Sequence, residues 1–115
     1  MNTQEIFIAG LKKTITFLIG KNAAGNNEAI DASSPDDLWF HLEGQSSCHV
    51  IAQMPDGLTK KEKGYILRKG AELCKQNSRE KSRKNVEIVY TKIKNVEKTA
   101  VAGQVVLLDR NIIKI

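Results

Sequence analysis

One segment constrains this chain more than any other, because it is the only stretch that reads as a long helix with both ends marked. Thr59-Lys60-Lys61-Glu62 has capping-box spacing, in which the Thr59 hydroxyl and the Glu62 carboxylate each satisfy a free backbone amide. Ile66, Leu67, Gly70, Ala71, Leu73 and Cys74 then recur at helical spacing, while Lys61, Arg68, Lys69, Glu72, Lys75 and Gln76 fall on the outer side. Asn77-Ser78 ends the segment. An apolar stripe of this kind must be covered, and the rest of the chain offers mainly strands to cover it. The expected class is α+β, a mainly antiparallel sheet packed against one long helix (about 59–77) and one short helix.

The strands are read from alternation. Glu5 to Ala9 and Thr14 to Ile19 are apolar stretches joined by Gly10-Leu11-Lys12-Lys13, which predicts a hairpin. From Asp37 to Glu43, Leu38, Phe40 and Leu42 fall on one face, with Trp39, His41 and Glu43 on the other. A turn at Gly44 to Ser47 leads into a returning strand, Cys48 to Met54, where Cys48, Val50, Ala52 and Met54 alternate with His49, Ile51 and Gln53. Asn26 or Asn27 is expected to cap a short helix from Glu28 to Ala32. Val86 to Thr91 reads as a strand, and Val105 to Leu108 with Ile112 to Ile115 as a terminal hairpin turning at Asp109-Arg110-Asn111.

Length and composition bound the rest. At 115 residues, 41% hydrophobic and 27% charged, the chain is expected to form one domain, residues 1–115, with its own core. Its apolar runs are too short for a transmembrane helix, and no secretory signal is visible at the start. Cys48 and Cys74 are expected to be free thiols in a cytoplasmic protein. Charge is the more informative number. Residues 60–98 hold 13 Lys plus Arg against five acids, a balance of +8, whereas the remainder carries −3. Such asymmetry attracts polyanions through counterion release, and its bland alternative is a solvated helix face followed by a basic loop.

Few constellations support catalysis. Gly20-Lys21-Asn22-Ala23-Ala24-Gly25 has the glycine spacing of a P-loop, but Asn26 and Asn27 stand where Lys and Ser or Thr are required. An NTPase is excluded, and a polar loop meeting a single phosphate stays open. His41, Cys48 and His49 lack the spacing of a structural metal site, so no metal and no cofactor is expected. Both cysteines read as core residues, which removes the nucleophile of a thiol enzyme. The face holding Trp39, His41, His49 and Gln53 suits stacking on unpaired bases and hydrogen bonding to their edges. On the structural reading of the same face, Trp39 packs beneath the long helix and the histidines are satisfied by backbone.

Taken together, three runs resemble the NFACT-R domain, the RNA-binding domain of the NFACT proteins: Ile19-Gly20-Lys21-Asn22-Ala23, Asp37-Leu38-Trp39-Phe40-His41 and Ser46-Ser47-Cys48-His49-Val50. In that family a strand ending in Gly-Arg-Asn is followed by Asp-Leu-Trp-Phe-His and Gly-Ser-His-Val segments. Asn77-Ser78, Val89-Tyr90-Thr91, Val96 with Lys98-Thr99, and Gly103-Gln104-Val105 also look like family positions, so the likeness covers roughly residues 14–115. Lys21 in place of Arg, and Ser-Ser-x-His in place of Gly-Ser-His, look closest to the eukaryotic stand-alone, coiled-coil-containing branch, here without the coiled-coil tail.

The resemblance implies a non-catalytic RNA-binding module. In the large NFACT proteins the domain belongs to a factor that binds stalled large ribosomal subunits and tRNA. The implied partner is therefore tRNA or ribosomal RNA, in translation or ribosome-associated quality control, beside the large ribosomal subunit or a separate NFACT-type factor. Expected phosphate contacts are Lys81, Arg83, Lys84, Lys94 and Lys98, and expected base or backbone contacts are Trp39, His41 and His49. By resemblance Lys21, Asn22 and Ser47 join them. Three rival readings remain: a DNA ligand on the same surface, a protein adaptor using an exposed patch around Ile51 and Trp39, and a nuclease with His41 and His49 as acid and base.

Overall fold

A computed structural model describes residues 1–115. The chain runs through β1 (Asn2–Ile8), β2 (Lys13–Gly20), α1 (Ala23–Asp31), β3 (Leu38–Leu42), β4 (His49–Ala52) and α2 (Lys60–Gln76). It continues with β5 (Glu87–Lys92), a single 3-10 turn (Ile93–Asn95), β6 (Val96–Lys98), β7 (Val105–Leu107) and β8 (Asn111–Lys114). Six strands form one wholly antiparallel sheet in the order β1-β2-β4-β3-β5-β8, and β6 pairs with β7 as a separate ribbon. The α+β expectation holds.

The middle strands are apolar on both faces, so each face needs its own cover. On one side Phe17, Ile19, Phe40, Leu42, Val50 and Ile88 meet Ile66, Ala71, Leu73 and Cys74 of α2. Both features of the capping box at Thr59 and Glu62 are present. Helix α2 approaches closely because residue 70 is glycine: a Cβ there would stand 2.3 Å from the Phe40 ring. On the other side Leu18, Trp39, Ile51 and Val89 pack against Ala29 and Ile30 of α1, with Val96, Val105 and Leu107 of the ribbon closing the edge. No helix is long and apolar enough to cross a membrane.

Several expectations are corrected. The short helix begins at Ala23 rather than Glu28, and its cap is Asn22, whose Oδ1 accepts the Gly25 amide at 2.7 Å. Asn26 lies buried in the first turn and accepts the His49 amide at 3.3 Å, so the supposed polar phosphate loop is helix from its fourth residue, Ala23, on. There is no C-terminal hairpin. Strand β7 pairs with β6, and β8 crosses back to extend the main sheet beside β5. Trp39 does not lie beneath the long helix, because the 3.6-residue stripe of α2 is filled by the opposite face of β3; it sits under α1. That same layer covers Ile51 completely, so the patch expected of an adaptor is interior.

Candidate nucleic-acid interface

The antiparallel register brings the end of β2 to the start of β4, with Gly20 opposite His49. At this end of the sheet also lie the end of β3 and the start of β5, with Leu42 opposite Ile88. Residues far apart in sequence therefore converge: Lys21 and Asn22 at the start of α1, His41, the 44–47 turn, His49, and the basic loop that follows α2. A Cβ on Gly20 would meet the backbone of Asn26 at 2.7 Å, so glycine is what lets α1 sit down against this corner.

A cleft of about 660 Å³ opens here between β3 and the ribbon. Trp39, His41, His49, Val89, Gln104 and Leu107 are among its lining residues, and Glu43, Gln45 and Arg110 stand with them. Its outer wall is the turn between β6 and β7. Gly103 holds that wall against α1: its amide donates to Asn27 Oδ1 at 3.2 Å, and its positive φ is one that L side chains rarely adopt. Arg110 forms an ion pair with Glu43 across the rim.

The three rings at the base of the cleft hold one another. Trp39 and His41 stack with centroids 5.5 Å apart, and His49 meets each of them edge-on at 5.2 Å. Trp39, only 2% exposed, donates its indole N–H to His49 Nδ1 at 3.2 Å. His41 donates from Nδ1 to the Leu42 carbonyl at 2.6 Å. Burial, with a smaller push from His41, holds the His49 imidazole down to about 4. Burial also lowers His41, against the opposing pull of its bond to the Leu42 carbonyl. Both rings are therefore neutral at physiological pH. Ser47 is engaged in the turn, accepting the Leu42 amide and donating to the Cys48 carbonyl.

The basic residues divide into two sets. Lys21, Lys81 and Lys84 are exposed and make no ion pair, and Arg83 is exposed while pairing with Glu80 at 2.9 Å. Arg83 and Lys84 border a hollow shared with Glu43 and Gln45, which places that loop beside the cleft. Lys94 is not part of this group. It shares Asp36 with Lys92 at the far end of the sheet, and Lys98 reaches Asp31 at the end of α1 at 2.5 Å. Trp39 is present at the site but is covered, so its ring supports the histidines and offers no open face for stacking on a base.

Sequence reasoning missed Arg110, Asn27 and the wall role of Gly103 and Gln104. Arg110 was hidden by its assignment to a hairpin turn, and Gly103-Gln104 carried a signal only through the family likeness. No group of three or more His, Cys, Asp or Glu side chains is placed to hold a metal ion.

Residues 6–109 match the NFACT protein RNA binding domain. Coiled-coil domain-containing protein 25 of Danio rerio is 37% identical over 87 residues, covering 74% of this chain and 42% of the relative. Its homolog in Dictyostelium discoideum is 37% identical over 93 residues, covering 77% and 45%. The chain thus spans less than half the length of the curated relatives it matches. The C-terminal part of the fibronectin/fibrinogen-binding protein from Streptococcus suis aligns with all of this chain and 45% of that one, at a TM-score of 0.81 and 19% identity. That likeness is one of fold.

Proposed function

The chain belongs to the NFACT RNA-binding domain family, and from that premise we propose that it is a non-catalytic module binding structured RNA, tRNA or ribosomal RNA. Its setting is translation-linked quality control in the cytoplasm. The observation that carries this reading is the convergence at one sheet end of unpaired cations, Lys21, Lys81 and Lys84, with a cleft walled by hydrogen-bonding side chains. Cations attract the phosphate backbone whatever its sequence, and the cleft adds contacts that a phosphate cannot make. A nuclease role has less support, since an acid–base pair needs one imidazole charged near neutrality and burial keeps His41 and His49 uncharged.

The test is fluorescence anisotropy of labelled tRNA and a matched DNA duplex over a salt series. RNA is expected to bind more tightly and to weaken steeply with salt. Equal affinities for the two would make the protein a general polyanion binder. No binding to either at low salt would overturn the reading.

A further inference from the structure

We propose that the cleft between β3 and the β6–β7 turn is a pocket for one unstacked nucleobase, whose edge is read by one imidazole that accepts and one that donates. The inference rests on the RNA-binding reading and says what the RNA presents there. Its first support is the pair of tautomers. An indole N–H can only donate, so the Trp39 bond requires a lone pair on His49 Nδ1 and places the proton of the neutral ring on Nε2. A carbonyl can only accept, so the Leu42 bond fixes the His41 proton on Nδ1 and leaves the Nε2 lone pair. The second nitrogen of each ring has no partner within the chain, although both rings line the cleft and His49 is 2% exposed.

Neither nitrogen is closed off from the cleft, and a ligand that displaces water from them must replace its hydrogen bonds or lose affinity. What enters must bring an acceptor for His49 and a donor for His41. Phosphate fails the second requirement, since it has no proton to give and would face a lone pair. Every nucleobase meets both, because its Watson–Crick edge sets donors beside acceptors. Val89 and Leu107 supply apolar surface for the base, and the Gln104 amide stands at the wall. The volume lies within the range of about 300–1,000 Å³ usual for small-ligand pockets.

With only two histidines in the chain, the imidazole proton and carbon resonances can be assigned from a single His41→Asn variant. The wild-type protein is then titrated with adenosine 5′-monophosphate and, separately, with ribose 5-phosphate, while tRNA binding is followed by anisotropy. The proposal expects the nucleotide to move both imidazole resonances saturably and the baseless sugar phosphate to leave them in place. Equal responses to the two would show an anion pocket and overturn it. Unmoved imidazoles would overturn it too, and tRNA binding in the same sample would show that the RNA-binding reading survives without it. Moved imidazoles with no tRNA binding would uphold the pocket and remove the RNA reading instead. As a second readout, His41→Ala should lower tRNA affinity by about five-fold at every salt concentration, since a neutral contact contributes nothing to the salt slope.

Discussion

At the scale of single residues, the site depends on Trp39 more than on any side chain that could touch RNA. The alternation from Asp37 to Glu43 shows Trp39 and His41 sharing a face, but not that α1 covers Trp39, because nine residues rich in Ala, Gly and Asn give only a weak stripe. Trp39→Phe deletes the donor to His49 Nδ1 and frees the ring to exchange tautomers. The expected cost is about 1–3 kcal/mol in urea unfolding, with the His49 nitrogen resonances shifting toward a tautomer mixture. A single unchanged tautomer in that variant would mean the indole does not set it. The low His49 value carries a second prediction. An unfolded imidazole takes up its proton near 6.5 and the folded one near 4, so the unfolded state binds more protons between those limits. Stability from this residue is full above pH 6.5 and falls as the pH drops toward 4, by about 3 kcal/mol. Burial lowers His41 as well, which acts in the same direction. Urea midpoints that stay level from pH 7 to 4.5 would contradict the buried, neutral pair.

At the scale of elements, what was legible is what is local. The α2 stripe, its capping box and the β1–β2 hairpin follow from neighbouring residues, and the structure has them where the patterns put them. The cap of α1 was misplaced because three asparagines, Asn22, Asn26 and Asn27, compete in one stretch. Only the packing of Gly20 on Asn26 decides between them. The C-terminal strands were misread because β7 has a candidate partner on either side: the three-residue connection to β8 is the shorter, yet β7 pairs across the longer one with β6, and β8 finds its partner in the distant β5. The fit of α2 onto the sheet can be tested by two like substitutions with opposite outcomes. Replacing glycine by alanine in a helix gains about 1 kcal/mol in backbone propensity. At Gly64 nothing lies within 4 Å of the new Cβ, so G64A should stabilise by up to that amount. At Gly70 the Cβ would stand 2.3 Å from the fully buried Phe40 ring, and overpacking of about 1–3 kcal/mol should outweigh the gain. Thermal unfolding of the two variants checks the contrast, and a stabilised G70A would mean that the helix rides higher over β3.

At the scale of the whole molecule, a charge count along the chain is not a surface. The balance of +8 over residues 60–98 is scattered by the fold: Lys60 and Lys63 stand with Lys92 at the end away from the cleft, Lys94 shares Asp36, and Lys98 is held by Asp31. What reaches the cleft is the loop after α2, joined by Lys21 from outside the basic segment altogether. A cation already paired with a carboxylate must give up that pair before it can neutralise a phosphate, so its contribution to counterion release is small. This separates charges that are equal in the sequence. Lys81→Ala, Arg83→Ala and Lys84→Ala together should flatten the plot of log affinity for tRNA against log salt by about two to three units, the number of phosphate contacts removed. Lys94→Ala with Lys98→Ala removes two cations that Asp36 and Asp31 already hold and should leave the slope nearly unchanged. Losses in proportion to the three and two cations removed would mean that net charge governs binding. A loss confined to the second would mean that the carboxylate-held cations, and not the loop after α2, meet the phosphates.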